Sequence, residues 1–262
     1  MTAWNEMPFP RVIAERVGTE PFTADAVGRS DSAVLLFGDQ VLKIGKTSEV
    51  SENEYEILKF LDGKLRAPRV LAFARENGFD YLLMTRLDGK MAFDTGLEPE
   101  TVSARLAEGL RILREVDISA CPKTRNFQSV LREAKKRLDT GCLDGIQPKT
   151  EDFSDFESLY AYLLDNIPQE KLAFSHGDYC LPNVFFSEDG EIGFLDLGSA
   201  GVADRDYDVF MCLWSMRYNF VTLGGMDEER FGKCKSAFFE ALGESENEEK
   251  LRYHALVDEF FI

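Results

Sequence analysis

The chain has 262 residues, 44% hydrophobic and 12% aromatic, enough to bury a core without disulfides or metal. Its 47 Asp+Glu against 30 Lys+Arg leave a net charge of −17 at pH 7, and no Lys/Arg cluster stands out, which argues against a nucleic-acid partner. Five scattered cysteines without a CxxC pair argue against disulfides and zinc, and two histidines exclude a histidine-rich metal centre. The opening MTAWNEMPFP has acid and proline where a signal peptide needs a basic flank and an apolar run. No apolar stretch approaches membrane-spanning length, so a soluble, cytoplasmic protein with no membrane partner is expected.

The first third reads as strands with one helix. AVLLF (33–37) and QVLKI (40–44) flank Gly38-Asp39, a hairpin link. Residues 51–61 carry Ile57, Leu58 and Leu61 on one helical face, with Ser51 as a candidate N-cap. RVLAFA (69–74) and YLLM (81–84) supply two more strands around the turn-like Asn77-Gly78. After LDG (87–89) the period changes to helical: Val102, Leu106, Leu110 and Leu113 form one stripe. Residues 156–167 and 230–242 carry similar stripes. Between these two, NVFFS (183–187) and IGFLDL (192–197) form a second hairpin about Asp189-Gly190. The pattern predicts an α+β fold with a small β-rich lobe, 1–88, and a larger, mainly helical lobe, 89–262. A cleft is expected near residues 84–90. The charge divides unevenly: residues 1–96 hold 12 basic and 15 acidic side chains, and residues 97–262 hold 18 and 32. An acidic half of this kind suits a cationic ligand.

The segment SHGDYCLPNVFFSEDGEIGFLDLG (175–198) is the richest in chemistry. Asp178 precedes the embedded hairpin, Asn183 enters its first strand and Asp196 follows its second. Because a hairpin brings its ends together, the three side chains converge at one rim. A carboxylate and an amide oxygen suit Mg²⁺, which keeps few protein ligands and fills its shell with water and phosphate. The second carboxylate is then free to orient or deprotonate an attacking hydroxyl. Singly, each residue reads as an ordinary turn former; together, at these offsets, they read as a phosphoryl-transfer site. Lys43, in the apolar run VLKI, calls for an anionic partner, either a nucleotide phosphate or Glu54 on the following helix.

The string His176-Gly177-Asp178…Asn183 followed by Asp196-Leu197-Gly198 resembles the protein-kinase signature H-R-D-x-x-x-x-N and D-F-G. With glycine after the histidine, it is similar to the aminoglycoside phosphotransferases of the protein-kinase-like superfamily. DGKL (62–65), PRVL (68–71), VDISACP (116–122), HGDYCLPN (176–183), GVADRDYD (201–208) and LVDEFF (256–261) look like the 3′-phosphotransferase branch, nearly end to end. The resemblance implies a two-lobed protein-kinase-like fold and transfer of the γ-phosphate of ATP or GTP to an aminoglycoside hydroxyl, the 3′ position foremost, which confers antibiotic resistance. It also implies roles. Asp178 would orient the acceptor, and Asn183 and Asp196 would hold two Mg²⁺ ions. Lys43, paired with Glu54, would bind the α- and β-phosphates, and Ser30 would cover the phosphates. Thr85 and Leu87 would meet the adenine edge, while His176 and Asp208 would brace the catalytic loop.

For the acceptor, the resemblance points to acids of the large lobe: Asp144, Glu151, Asp152, Asp155, Asp258 and, by motif, Glu259, together with Arg217. The chain departs from the family in several places. GIQPKTEDF (145–153) replaces a denser acidic run, and Ser199 stands where an arginine is usual. Tyr218-Asn219 follow Arg217 where acids are frequent, and Ile262 lies beyond the usual terminal Phe. These departures keep two alternatives open: a kinase for another cationic small molecule, such as a basic peptide antibiotic or choline, and a nucleotide-binding pseudokinase. The intact Lys43, Glu54, Asp178, Asn183 and Asp196 argue against the latter.

Overall fold

The structure, a computed structural model, describes residues 8–24 and 32–261. Helix α1 (Arg11–Val17) is followed by β1 (Thr23–Ala24), β2 (Ala33–Phe37) and β3 (Gln40–Lys46). Helix α2 (Glu49–Leu61) comes next, then β4 (Val70–Glu76) and β5 (Phe79–Thr85). The five strands form one antiparallel sheet in the order β1-β2-β3-β5-β4. Asn77 (φ 54°) and Gly78 (φ 80°) both adopt the left-handed region, the two-residue turn that matches strand twist in the β4–β5 hairpin.

Strand β5 shows why its run is apolar throughout. Tyr81 and Leu83 face one side, packing with Ile13 and Val17 of α1. Leu82 and Met84 face the other, packing with Ile57, Leu58 and Leu61 of α2. Helix α2 begins two residues earlier than its apolar face suggests. Ser48, not Ser51, is the N-cap, and the two serines form a reciprocal capping box.

The chain then enters the larger part through β6 (Lys90–Met91) and α3 (Pro99–Arg114). There follow β7 (Thr124–Arg125), α4 (Phe127–Asp139), α5 (Phe156–Asp165), β8 (Leu172–Ser175), β9 (Val184–Phe186) and β10 (Ile192–Phe194). Strand β11 (Gly201–Asp204) leads into α6 (Tyr207–Met216), which continues as a π-helical segment over Arg217–Leu223. Helices α7 (Glu228–Leu242) and α8 (Glu248–Asp258) complete the chain. The embedded hairpin is β9–β10, extended by β6; a second small sheet has the order β7-β11-β8. This is the α+β, two-lobed arrangement that the patterning predicts.

Helices α4, α6 and α8 and the β7-β11-β8 sheet were not anticipated from the sequence. Helices α4, α5 and α8 close a satellite core through Phe127, Leu131, Leu159, Leu163, Leu256 and Phe260. Helix α8 is also anchored by charge. Buried Asp204 on β11 accepts from Lys250 Nζ at 2.7 Å and from Lys171 N at 2.8 Å, and pairs with His254 Nε2 at 3.1 Å. The main core continues from α2 and β5 into α3 and α7, so the two parts share apolar packing. Gly109 in mid-α3 has a packing reason: a Cβ there would lie 2.2 Å from the hydroxyl of fully buried Tyr179, which donates to Leu106 O. No helix among the described residues is long and apolar enough to cross a membrane.

Candidate active site

Three segments converge on the cleft between the two parts. From the small part, β3 carries Lys43, with its Nζ 2.8 Å from Glu54 Oε2 on α2 and 2.8 Å from Asp196 Oδ1 beyond β10. Burial works against the charge of Lys43, but Glu54 and Asp196 outweigh it and raise its pKa. Burial pushes the Glu54 carboxyl up, with Lys43 opposing. Burial also acts against the charge of Asp196, yet Lys43 beside it holds that carboxyl below the usual range. Asp196 sits at φ 56°, a left-handed conformation that asparagine and aspartate tolerate best among residues with a side chain. Helix α2 is tied to the same segment by Asn53, whose Nδ2 donates to Gly198 O and Ala200 O, both at 2.9 Å. Nothing in the sequence pattern had marked Asn53.

The second segment is the loop from Ser175 to Asn183, braced from below by Asp208 on the first turn of α6. The Asp208 carboxylate accepts from Ser175 Oγ at 2.9 Å, His176 N at 2.8 Å and Gly177 N at 3.0 Å. Burial pushes its carboxyl up, while these donors and His176 oppose the shift. Gly177 is obligatory here, with φ +76° and a would-be Cβ only 2.0 Å from Ser199 O. Buried His176 packs edge-on against Tyr179 and Phe194, and its Nδ1 accepts from Asp178 N at 3.3 Å.

Asp178 stands at the mouth of this loop. Asn183 Nδ2 donates to Asp178 Oδ2 at 2.9 Å and to its main-chain oxygen at 3.0 Å. With its amide nitrogen so directed, Asn183 keeps Oδ1 for another partner. Asn183 Oδ1 and the half-exposed Asp196 carboxylate are hard oxygen donors of the kind Mg²⁺ takes, with phosphate and water completing the shell. The donor set therefore fits such an ion. Lys43, Glu54, Asp178, Asp196 and Ser199 line one cleft of about 210 Å³.

The remaining sequence candidates divide. Ser30 and Ile262 lie outside the described residues. Thr85, the last residue of β5, gives its N–H to Arg69 O at 2.9 Å, so that group is committed within the small sheet. Leu87 is half-buried beside Gly193. Glu259 accepts from Lys149 N at 2.5 Å and Thr150 N at 3.0 Å, so its carboxylate pins the loop that follows Asp144. Its neighbour Asp258 accepts from Tyr207 OH at 3.3 Å, and burial, with Asp178 and Glu259 adding, pushes its carboxyl up.

Arg217 forms a bidentate pair with Glu228 at 2.9 and 2.6 Å. Asp152 pairs with Arg252, and Asp155 caps α5. Asp144 and Glu151 are exposed. Glu259 and Arg217 of the expected acceptor set are thus engaged by groups of the chain itself.

This site geometry on a two-part α+β fold defines a kinase-like phosphotransferase. The sequence profile of the phosphotransferase enzyme family matches residues 22–249. The chain is 35% identical to an aminoglycoside 3′-phosphotransferase of Niallia circulans, with 97% of each chain covered. It is 34% identical to one of Enterococcus faecalis, covering 90% of this chain and 87% of that one. Among solved structures, aminoglycoside phosphotransferase APH(3″)-Id of Streptomyces rimosus, in complex with ADP and streptomycin, superposes with a TM-score of 0.78 at 21% identity over the whole of both chains. An aminoglycoside-3′-phosphotransferase of type VIII superposes with a TM-score of 0.76 at 24% identity, covering 95% of this chain and 98% of that one. The chain belongs to the phosphotransferase enzyme family, and its fold is the two-lobed protein-kinase-like one.

Proposed function

We propose that the protein transfers the γ-phosphate of ATP or GTP to the 3′-hydroxyl of an aminoglycoside and so confers resistance. The observation that carries this reading is the convergence of Lys43, Asp178 and Asp196 on one cleft, with Asn183 bonded to Asp178, in a chain whose relatives carry the name aminoglycoside 3′-phosphotransferase. Lys43, held by Glu54, binds the α- and β-phosphates, and Thr85 and Leu87 meet the base edge. Asn183 Oδ1 and Asp196 would hold Mg²⁺, which would neutralise charge on the transferring phosphate. Asp178 accepts a hydrogen bond from the acceptor hydroxyl and aims it in line; His176 and Asp208 keep its loop in place. Asp258, with Asp144 at the rim, receives ammonium groups of the acceptor.

The nucleotide-binding lobe comprises residues 1–88 and the catalytic and acceptor-binding lobe residues 89–262, divided at the link after β5. Described cysteines are all free thiols, as in a reducing cytoplasm where nucleoside triphosphate is at hand. Phosphorylation lowers the positive charge by which an aminoglycoside binds RNA phosphates.

A nucleotide-turnover assay with kanamycin, neomycin, a 3′-deoxy aminoglycoside and choline tests the reading. Turnover with kanamycin and none with the 3′-deoxy compound is expected. A second reading, a kinase for another cationic acceptor, draws on the engagement of Glu259 and Arg217 by groups of the chain itself. Turnover with choline alone would favour it, and no turnover with any acceptor would point to a pseudokinase.

A further inference from the structure

Asp178 is gripped on both carboxylate oxygens by residues of its own loop. Asn183 Nδ2 lies 2.9 Å from Oδ2, and the Cys180 sulfur lies 3.0 Å from Oδ1. We propose that Cys180 is a positioning residue for phosphoryl transfer: its S–H donates to Asp178 Oδ1 and, with Asn183 on the opposite oxygen, fixes the rotation of the carboxylate. The inference rests on the phosphotransferase reading above.

The terminal torsion of aspartate is broad and roughly twofold, so a single donor on one oxygen leaves the group free to pivot. Two donors on opposite oxygens remove that freedom. Alignment of this carboxylate with the acceptor hydroxyl bears directly on rate, because a small misplacement of a reacting group costs much of the benefit of proximity. The thiol itself sits on a fixed backbone. Cys180 N donates to Asp178 O at 2.8 Å, and Asn183 N donates to Cys180 O at 2.9 Å. The next residue, Leu181, is tied through its N–H to the hydroxyl of buried Ser215 on α6, at 3.0 Å. Residues 178–183 therefore form a closed ring of hydrogen bonds with the thiol directed inward.

The test compares four variants of the full chain under steady-state conditions. Cys180→Ser and Cys180→Thr keep a donor at the position; Cys180→Ala and Cys180→Val remove it. The donor variants should keep kcat within about threefold of the parent. The others should lose roughly tenfold in kcat, with KM for nucleotide and acceptor shifting less than twofold. Binding of a non-hydrolysable ATP analogue, measured on the same preparations, reports folding independently of turnover. If Cys180→Ala loses that binding, the nearly isosteric Thr and Val pair provides the same comparison. A parent-like kcat in Cys180→Ala, or activities that sort by side-chain volume rather than by the donor, would overturn the inference. Failure of the parent chain to turn over with any acceptor would instead defeat the phosphotransferase reading.

Discussion

Lys43 and Asp196 stand 153 residues apart in the chain and meet at 2.8 Å across the cleft. The same ammonium reaches Glu54 at 2.8 Å, so one cation joins a strand of the small sheet, helix α2 and the segment after β10. On the proposed function these three charges face the nucleotide phosphates. This arrangement lowers the reorganisation needed when phosphates enter.

Lys43→Met should weaken binding of a non-hydrolysable ATP analogue by at least about tenfold, since a desolvated cation–phosphate contact is lost. It should also lower stability by about 1–3 kcal/mol, because Glu54, at 4% side-chain exposure, is left without its cation. Calorimetric titration and denaturant unfolding measure the two effects. Unchanged affinity would show that Lys43 serves only its two carboxylates.

Asp178→Ala should reduce transfer by about a thousandfold, within the range for loss of a positioned acid–base group. Nucleotide affinity should stay within about twofold, because Lys43, Glu54 and Asp196 form their contacts without Asp178. Near-parental turnover in this variant would remove Asp178 from its catalytic role.

Gly177→Ala places a methyl group 2.0 Å from Ser199 O at φ +76°. The strain and collision should cost about 2–4 kcal/mol of stability. Activity should fall as well, since the same residue donates to Asp208 and precedes Asp178. Thermal denaturation in the presence and absence of nucleotide provides the measurement; a variant as stable as the parent would mean that the loop relaxes freely.

Acid stability should depend on Asp204. Its carboxyl drops from 3.8 to about 2: burial opposes the change, and His254, Lys250 and the Lys171 N–H prevail. The folded value lies below the ordinary one, so the stabilisation is complete above about pH 5 and is lost as pH falls toward 2. It amounts to roughly 2 kcal/mol. Urea unfolding of the parent and Asp204→Asn should show a stability gap at pH 7 that narrows between about pH 4 and 2. A gap independent of pH would assign the loss to packing instead.

The β2–β3 and β4–β5 hairpins were legible because short apolar runs and the Gly38-Asp39 and Asn77-Gly78 turns are local signals. The start of α2 was less so. Both Ser48 and Ser51 have the chemistry of a cap, and only backbone geometry distinguishes the N-cap from its partner three residues on. Adjacent acids at 258 and 259 pose a similar ambiguity. Successive positions on a helical turn point about 100° apart, so sequence names the pair while packing gives Asp258 to the Tyr207 hydroxyl and Glu259 to the loop at 149–150. The Asp204–Lys250–His254 network was invisible for a different reason, since nothing local links residues some fifty positions apart.

The −17 charge and the spacing of His176, Asp178, Asn183 and Asp196 were determined by the sequence alone, and with them the kind of chemistry. Those residues lie close in the chain, on one hairpin whose local geometry leaves little freedom. The tertiary structure decided what surrounds them: Lys43 from the far sheet on Asp196, Asp208 from α6 under His176, Ser215 from α6 on Leu181, and Asn53 from α2 on Gly198 and Ala200. Such contacts depend on how separate elements pack around a shared apolar core, and only the folded chain specifies that packing.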